Sequence, residues 1–379
     1  MKKALLVPDS FKGTLSSAEI CSILRERILL HFPAAEVVSV PVADGGEGSV
    51  DAFLAAMGGE KRTLPVCGPF PGEEMRGFYG LVDGGLTAVV EMAACAGLPL
   101  VGKRLRPDQT TTYGVGQLIA DALSRGVTKL ILGLGGSATN DMGCGAAAAL
   151  GARFFDETGT SFLPTGGTLS AIRHIDLSGL NPALYAIEFI AMCDVDNPLC
   201  GPRGAAAVFG PQKGASEALV RLLDGGLRAA AGTVKQDLGI DLIDMPGAGA
   251  AGGFGYGAAA FLGAKLQMGI DTVLETVGFD HLVQGADYVF SGEGKLDSQS
   301  LRGKVVLGVA RAAKRRGVPV IAIVGDIADG IEAVYGEGVI GVFSTNRQAM
   351  DFSSARKRAK KDLSLTADNL MRFLSKIEG

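Results

Sequence analysis

The chain has 379 residues, a formal net charge of −4 and 47% apolar residues, a composition typical of a folded globular protein. Its acidic balance excludes a general basic surface for nucleic acid or anionic lipid, and the absence of Trp leaves little aromatic surface for base stacking. Six cysteines without CxxC spacing, and no apolar run of the roughly 18 residues that a membrane helix needs, predict a cytoplasmic protein with no membrane or nucleic-acid partner.

The first residues alternate between apolar runs and polar loops. Residues 4–7 predict a buried strand that ends before Asp9, and residues 37–42 predict a second strand that ends before Asp44. Between them, Ser16 and Ser17 are typical of a helix N-cap, and the apolar spacing after them predicts a helix. Both polar loops follow the carboxyl end of a predicted strand, where open α/β sheets bind their ligands.

The middle of the chain holds several clusters of glycine, a residue that occurs 56 times, about twice its usual share. Glycine is costly in backbone entropy, so its clusters indicate tight turns or a close approach of the backbone to another group. Residues 80–92 are expected to form paired strands around Asp83, while 201–214 and 247–257 are again dense in glycine.

The last part of the chain returns to the pattern of the first. Strands are predicted at 288–290, 318–324 and 339–343, each followed by a polar loop. The basic run 356–361 is interpreted as the solvated face of a final helical region.

These patterns predict an α/β fold with two domains. Residues 1–64 and 285–379 are expected to form a discontinuous, Rossmann-like domain with a parallel sheet. Residues 65–284 are expected to form a second α/β domain inserted into it. The segment 110–153 could belong to either domain.

The segment 133–156 matches a dinucleotide-binding pattern. A predicted strand at 129–132 leads into GLGGSA at 133–138, and Asp156 follows where such a site places its ribose-binding acid. The match keeps an NAD-dependent dehydrogenase open as an alternative function. Against it, the strand is far from the N-terminus, and Asp141 would place a charge beside the pyrophosphate. Even without a dinucleotide, the pattern still indicates a possible phosphate site, because backbone N–H groups at a helix start can bind phosphate.

A P-loop is missing from the sequence. Gly303 and Lys304 are followed by Val305 rather than by Ser or Thr, and Ser298 stands where the first glycine of that motif belongs. Any phosphate group is therefore expected to be held by a different construction.

Four polar loops that follow apolar strands all contain acids and, in two cases, lysines. Phosphoryl transfer needs carboxylates to hold Mg²⁺, lysines to neutralise the phosphoryl group and one carboxylate to accept the proton of the nucleophile. The three histidines stand apart from these loops, which argues against a His-based hydrolase, a zinc site or a His-dependent dehydrogenase. The loops are residues 9–14, 44–48, 194–197 and 292–297.

Purely structural roles stay open for some of these residues. Asp9 could cap the first helix, and Asp196 and Asn197 could shape the turn into the following proline. Asp44 and Asp194 instead follow buried strands at the edge where ligands bind, which favours a functional role.

Taken together, the polar loops and glycine clusters resemble the type I glycerate kinase family. The matching segments follow one another in order over nearly the whole chain. Two departures are Met142 and Ser49, where the family more often has Gly and Thr. The segments are 8–14 (PDSFKGT), 43–48 (ADGGEG), 133–141 (GLGGSATND), 193–195 (CDV), 197–199 (NPL), 210–214 (GPQKG), 246–253 (PGAGAAGG) and 292–294 (GEG), with Asp297, Gln299, Ser300, Gly303 and Lys304.

This resemblance implies transfer of the γ-phosphoryl group of ATP to D-glycerate, with Mg²⁺, in a cleft between two α/β domains. The implied residues are Asp44, Asp194 and Lys12 in catalysis; Ser10, Lys12 and Arg302 at the substrate; Gly135, Gly136, Ser137, Gly292, Gly294 and Lys295 at the nucleotide; and Asp297 and Glu293 at the metal.

The resemblance leans towards phosphorylation at the 2-position. A 3-phosphoglycerate-forming kinase stays open, because the two hydroxyl groups differ by one carbon and sequence does not define the bound pose. A non-catalytic sensor of a small acid also stays open, as does assembly into a homo-oligomer.

Overall fold

The computed structural model describes residues 1–43, 45–297 and 304–377. The strands are β1 Lys3–Pro8, β2 Glu36–Ser39, β3 Glu60–Cys67, β4 Glu74–Val82, β5 Thr87–Glu91, β6 Lys129–Gly133, β7 Arg153–Phe155, β8 Ser161–Phe162, β9 His174–Asp176, β10 Glu188–Met192, β11 Lys265–Gln267, β12 Tyr288–Gly292, β13 Lys295–Leu296, β14 Val320–Val324, β15 Asp326–Ile327 and β16 Val339–Ser344.

The α-helices are α1 Ser17–His31, α2 Ser49–Met57, α3 Ala93–Ala96, α4 Leu98–Val101, α5 Tyr113–Ser124, α6 Cys144–Ala149, α7 Ala205–Phe209, α8 Glu217–Leu238, α9 Ala250–Leu262, α10 Gly269–Thr276, α11 Phe279–Leu282, α12 Val305–Arg315, α13 Ala333–Gly336 and α14 Phe352–Ile377. Short 3₁₀ helices lie at Asp83–Gly85, Leu169–Ala171, Pro182–Ala186 and Pro211–Lys213. Within the described ranges, no helix is long and apolar enough to cross a membrane.

The chain divides into two compact units. Unit 1 consists of Met1–Asp44, Asp51–Met57 and Met268–Gly379, and unit 2 of Gly45–Val50 and Gly58–Gln267. Segment 110–153, left open by the sequence, falls in unit 2. The domain limits inferred from the sequence stay a prediction, as does the cleft between the domains.

Unit 1 is built on a five-stranded sheet in the order β16-β14-β12-β1-β2. Its described pairings are all parallel. Along the chain, the sheet grows from β1 to β2 in one direction and then from β12 to β14 and β16 in the other. The point of reversal lies between β1 and β12, and ligands of open α/β sheets bind at the carboxyl ends of strands at such a point.

The three inner strands, β1, β12 and β14, are buried on both faces, as their continuous apolar sequences predict. Ala4 and Leu6 pack into a core with α1 and α14, while Leu5 and Val7 point to the opposite face and are also fully buried. Helix α1 begins at a capping box formed by Ser16 and Glu19, which confirms the N-cap predicted at Ser16. The α/β class with a mostly parallel sheet is therefore confirmed.

Unit 2 contains a six-stranded sheet in the order β11-β10-β6-β5-β4-β3. Strands β5, β6, β10 and β11 are parallel, while β3, β4 and β5 are joined as antiparallel neighbours. The predicted pairing around Asp83 is confirmed as the β4–β5 connection. A smaller sheet has the order β8-β7-β9.

The glycine-dense segment at the start of α9 allows two stretches of unit 2 backbone to touch. Ala251, Gly252 and Gly253 all have positive φ, between 53° and 88°. A Cβ on Gly252 would lie 2.0 Å from the Thr139 carbonyl oxygen, and one on Gly257 would lie 1.9 Å from the Met142 carbonyl oxygen. These glycines are therefore required by close packing of backbone on backbone.

Candidate functional site

Three loops meet at the reversal point of the unit 1 sheet, after β1, β12 and β14. The Asp9 N–H donates to the Gly292 carbonyl at 2.8 Å. The Gly325 N–H donates to the Glu293 carbonyl and the Asp326 N–H to the Gly294 carbonyl, both at 3.1 Å. Backbone bonds thus hold the loops together at the sheet edge where ligands bind.

Glycine makes this arrangement sterically possible. A Cβ on Gly292 would lie 2.1 Å from the Ile323 carbonyl oxygen, and one on Gly325 would lie 2.3 Å from the Gly294 carbonyl oxygen. Both distances are far inside van der Waals contact, so a side chain at either position would force neighbouring strands or loops apart.

The joined loops form one side of a cavity of about 530 Å³, within the range typical of small-molecule sites. The cavity contains side chains of both charges. Its cations come from Lys12, Lys295, Lys304 and Arg356, and its carboxylates from Asp9, Glu293, Asp297, Asp326 and Asp362.

A second side of the cavity comes from the start of α14 and the residue pair before it. Met350, Phe352, Ala355 and Ala359 line it. Three of them recur three and four residues apart, so they share one face of the helix. Arg356 also lines the cavity, and it is exposed, as the interpretation of the run 356–361 as a solvated helix face predicts.

Several residues implied by the family resemblance converge on this cavity. Asp44 and Arg302 lie outside the described residues. Gly292 ends β12, immediately before the lining residues of that loop. Those that line the cavity directly are Ser10, Lys12, Glu293, Gly294, Lys295 and Asp297.

The remaining implied residues lie in unit 2, on the loops after β6 and β10. The Gly135 N–H donates to the Gly45 carbonyl at 2.9 Å, and a Cβ on Gly135 would lie 2.5 Å from the Gly46 Cα. Gly136 has a φ of 77°. The turn that follows Asp44 in the chain is thus packed directly on the GLGGSA segment.

Asp194 follows β10 and is half-buried. A Cβ on Gly45 would lie 3.0 Å from the Cβ of Met192, two residues before Asp194. The neighbouring Asp196 pairs with Arg203 at 3.5 Å, and the Asn197 side chain donates to the Arg203 carbonyl at 2.7 Å. The chain after Asp44 and the chain before Asp194 therefore lie together, while Asp196 and Asn197 stabilise their own turn.

Glu91 is a buried acid that the sequence reasoning missed. Its carboxylate accepts the Gly48 N–H at 3.1 Å and the Val50 N–H at 2.6 Å, with only 2% of the residue exposed. It thereby holds the start of α2 and the turn before it. The only signal in the sequence was an acid at the end of an apolar strand, β5.

Lys213 is also buried, and its ammonium group holds the segment after β6. Its Nζ donates to the Ser137 hydroxyl and to the Thr139 carbonyl, both at 2.7 Å. Burial lowers the pKa of Lys213 to about 7, while the negative charge of Asp141 acts in the opposite direction.

Asp141 is the acid whose charge argues against a dinucleotide site. It accepts the Thr112 N–H and hydroxyl at 2.8 Å each, and the Gly143 and Gly145 N–H groups at 3.2 Å each. Burial raises its pKa, although these four bonds act in the opposite direction. Its role in the structure is to accept backbone donors at the start of α6.

This geometry removes the basis for the dinucleotide interpretation. Helix α6 begins only at Cys144, well after the glycines that follow β6. Asp156 accepts from the N–H groups of Thr158 and Thr160 at 2.8 and 3.0 Å, within its own exposed turn.

The cavity of unit 1 carries the donor types that a magnesium nucleotide requires. In the described part of the chain, no group of three or more His, Cys, Asp and Glu is arranged to hold a metal ion alone. Mg²⁺ bound with a nucleotide needs only one or two carboxylates, because phosphate and water oxygens supply its other ligands. Glu293 and Asp297 fit that requirement.

Comparison with known proteins gives one consistent result. Residues 4–375 match the model of the glycerate kinase family. The chain is 45% identical over 369 residues to a glycerate kinase of Bacillus subtilis, covering 97% of this chain and 96% of that protein. It is 46% identical over 343 residues to the glycerate 2-kinase of Escherichia coli, covering 90% of each.

A solved structure agrees with the sequence comparisons. The crystal structure of a protein from Salmonella typhimurium LT2, provisionally assigned as glycerate kinase 2, superimposes with a TM-score of 0.89. It is 40% identical in sequence, and the match covers 100% of this chain and 99% of that one.

Proposed function

Because the chain belongs to the glycerate kinase family, we propose that it transfers the γ-phosphoryl group of ATP to D-glycerate and releases 2-phospho-D-glycerate and ADP. The observation that carries the proposal is the unit 1 cavity, where lysines and carboxylates gather at the reversal point of the sheet. Such a set of charges suits the phosphates of a magnesium nucleotide.

The cationic side chains of the cavity have a defined task in this reaction. Lys12, Lys295 and Lys304 would bind phosphate oxygens and stabilise the charge on the phosphoryl group as it moves. Glu293 and Asp297 would hold Mg²⁺, which supplies further neutralisation of the phosphates when it is bound. Close positioning of the two substrates would lower the activation barrier further.

The acceptor must lose a proton as its oxygen bonds to phosphorus. Asp44 and Asp194 are the proposed groups for orienting and deprotonating the glycerate hydroxyl. Ser10, Lys12 and Arg302 would bind the glycerate carboxylate or the phosphate. Gly135, Gly136, Ser137 and the loop from Gly292 to Lys295 are proposed to lie against the nucleotide phosphates.

The 2-position is preferred as the acceptor because the Escherichia coli relative is a glycerate 2-kinase. The two hydroxyl groups lie on adjacent carbons, so a small rotation of glycerate in the site would exchange them. Product identity is therefore the deciding measurement.

Purified protein is incubated with ATP, Mg²⁺ and D-glycerate, and the release of ADP is followed together with the product isomer. Enolase acts on 2-phosphoglycerate directly but requires phosphoglycerate mutase for the 3-isomer. The expected result is a product that enolase consumes without mutase. A product that enolase consumes only after mutase is added would identify a 3-phosphoglycerate-forming kinase. Binding of glycerate without release of ADP would identify a non-catalytic sensor.

A further inference from the structure

The cavity of unit 1 has an apolar side that glycerate does not need. We name Met350, Phe352, Ala355 and Ala359 the α14 wall. Phe352 is 66% exposed, so its ring is accessible to a ligand. Ala355 and Ala359 lie three and seven residues further along the helix, so all three side chains line one strip of its surface.

The loops at the carboxyl ends of the strands supply positively charged side chains to the same cavity. Lys12 lies in the loop after β1, and Lys295 lies in the loop after β12. Lys304 directly precedes α12. The lysines and the α14 wall together match a ligand with a polyanionic part and an apolar part, while Mg²⁺ bound with the phosphates would offset the carboxylates of the same cavity. Glycerate, with three carbons that all carry oxygen, has no group for the apolar part, whereas a purine nucleotide has both.

We propose that the α14 wall binds the adenine base of the nucleotide, with the base stacked on the Phe352 ring and the phosphates directed to the lysines of the loops. This assignment rests on the proposed kinase function and adds the position of the base to it. Aromatic side chains are favoured partners of nucleobases because every base has a stacking face. A cavity of about 530 Å³ is of the size that accommodates such a ligand.

The chain offers a direct optical test, because it contains no Trp. Phe352→Trp introduces a single indole on the α14 wall. Phe373→Trp is the matched control, since Phe373 lies on the same helix, is 60% exposed and lines a separate cavity of unit 1 that also contains cationic side chains. We expect ADP to change the fluorescence of the Phe352→Trp protein in a saturable manner and to leave the control unchanged. Inorganic tripolyphosphate, which has no base, is expected to change neither.

Binding affinities give an independent readout. Phe352→Ser is expected to weaken ADP binding about tenfold or more, because stacking on an aromatic ring is lost. Tripolyphosphate binding should be unchanged, and Phe373→Ser should bind both ligands as the wild type does. Isothermal titration of each protein with each ligand measures these ratios.

The outcomes separate the two proposals. If wild-type protein binds neither ADP nor tripolyphosphate, the proposed function fails and the base assignment fails with it. If wild-type protein forms ADP from ATP and glycerate while Phe352→Ser binds ADP normally, the base lies elsewhere and only this inference is overturned. Equal weakening of ADP and tripolyphosphate by Phe352→Ser would also overturn it, because the residue would then act on the phosphate site.

Discussion

The ammonium group of Lys213 donates to the Ser137 hydroxyl at 2.7 Å while only 2% of Lys213 is exposed. A buried lysine joins the loop after β6 to the 3₁₀ turn that precedes α8. Burying an ammonium group is costly unless it is well paired, so this contact should have a measurable effect on stability.

Lys213→Met should change how stability depends on pH. The pKa of Lys213 is lowered to about 7 from its ordinary value of 10.5. Between these values the unfolded chain keeps a proton that the folded chain has released, so the free energy of unfolding of the wild type rises with pH, by up to about 1.4 kcal/mol per unit. The Met variant lacks this contribution.

Urea denaturation of both proteins at several pH values from 7 to 9 measures the effect, since all other titrating groups are shared. The stability of the wild type relative to Lys213→Met should increase steadily over this range. Parallel pH profiles would mean that Lys213 titrates alike in the folded and unfolded chains.

Glu91→Gln should destabilise the turn that follows Asp44. The carboxylate accepts the Gly48 and Val50 N–H groups through different oxygens, and a glutamine can offer only one oxygen. A buried donor left without its acceptor lowers the free energy of unfolding by about 1–3 kcal/mol. Turnover should also fall, by up to about 100-fold, because the proposed base directly precedes this turn.

Glu188→Gln is the matched control for that change. Glu188 starts β10 in the same sheet, and its side chain is exposed and paired with Lys129 at 3.3 Å. Surface ion pairs contribute about 0–1 kcal/mol, so stability and turnover should stay close to those of the wild type. Equal effects of the two substitutions would exclude a positioning role for Glu91.

Asp194→Asn should lower turnover by at least about 100-fold if this residue deprotonates the acceptor hydroxyl. Asp196→Asn provides the comparison, because Asp196 lies two residues away on the same loop and pairs with Arg203 at its surface. Steady-state kinetics and thermal unfolding are measured for both proteins. A folded Asp194→Asn protein with near-normal turnover would remove Asp194 from the catalytic residues.

Gly252→Ala should be strongly destabilising. Gly252 has a φ of 68°, and an added Cβ would lie 2.0 Å from the Thr139 carbonyl oxygen. The loss should be about 3 kcal/mol or more in the free energy of unfolding. Gly232→Ala should instead raise the free energy of unfolding. Gly232 is exposed within α8 with open space around it, and a Gly→Ala change at such a helical position stabilises by about 0.5–1 kcal/mol. Chemical denaturation of the two variants decides the signs.

Much of unit 1 could be predicted because its signals are local. The apolar run at residues 4–7 and the N-cap at Ser16 correspond to β1 and α1. These elements depend on burial on both faces and on capping, and both leave a pattern in the adjacent sequence. The second strand was predicted to residue 42 but its ladder ends at Ser39, although Val42 still donates to the Pro8 carbonyl.

The contacts of the glycine segments could not be predicted in the same way. Glycine permits close approach whether the neighbour is a ligand phosphate or another stretch of backbone. Gly135 contacts Gly46, and nothing in the local pattern distinguishes that neighbour from a nucleotide. Glu91 and Lys213 were equally hidden, because their importance comes from burial against residues more than 40 positions away in the chain.

The β1–β12 pairing also constrains how the protein is made. Ala4 lies opposite Tyr288, so two neighbouring inner strands of the unit 1 sheet are separated by most of the chain. At ribosomal rates of about 5–20 residues per second, β12 is synthesised roughly 15–60 s after β1. The residues of unit 2 are all synthesised in that interval. The side of β1 that pairs with β12 therefore has unpaired backbone N–H and C=O groups throughout that interval, and such an exposed strand edge favours aggregation of the incomplete chain.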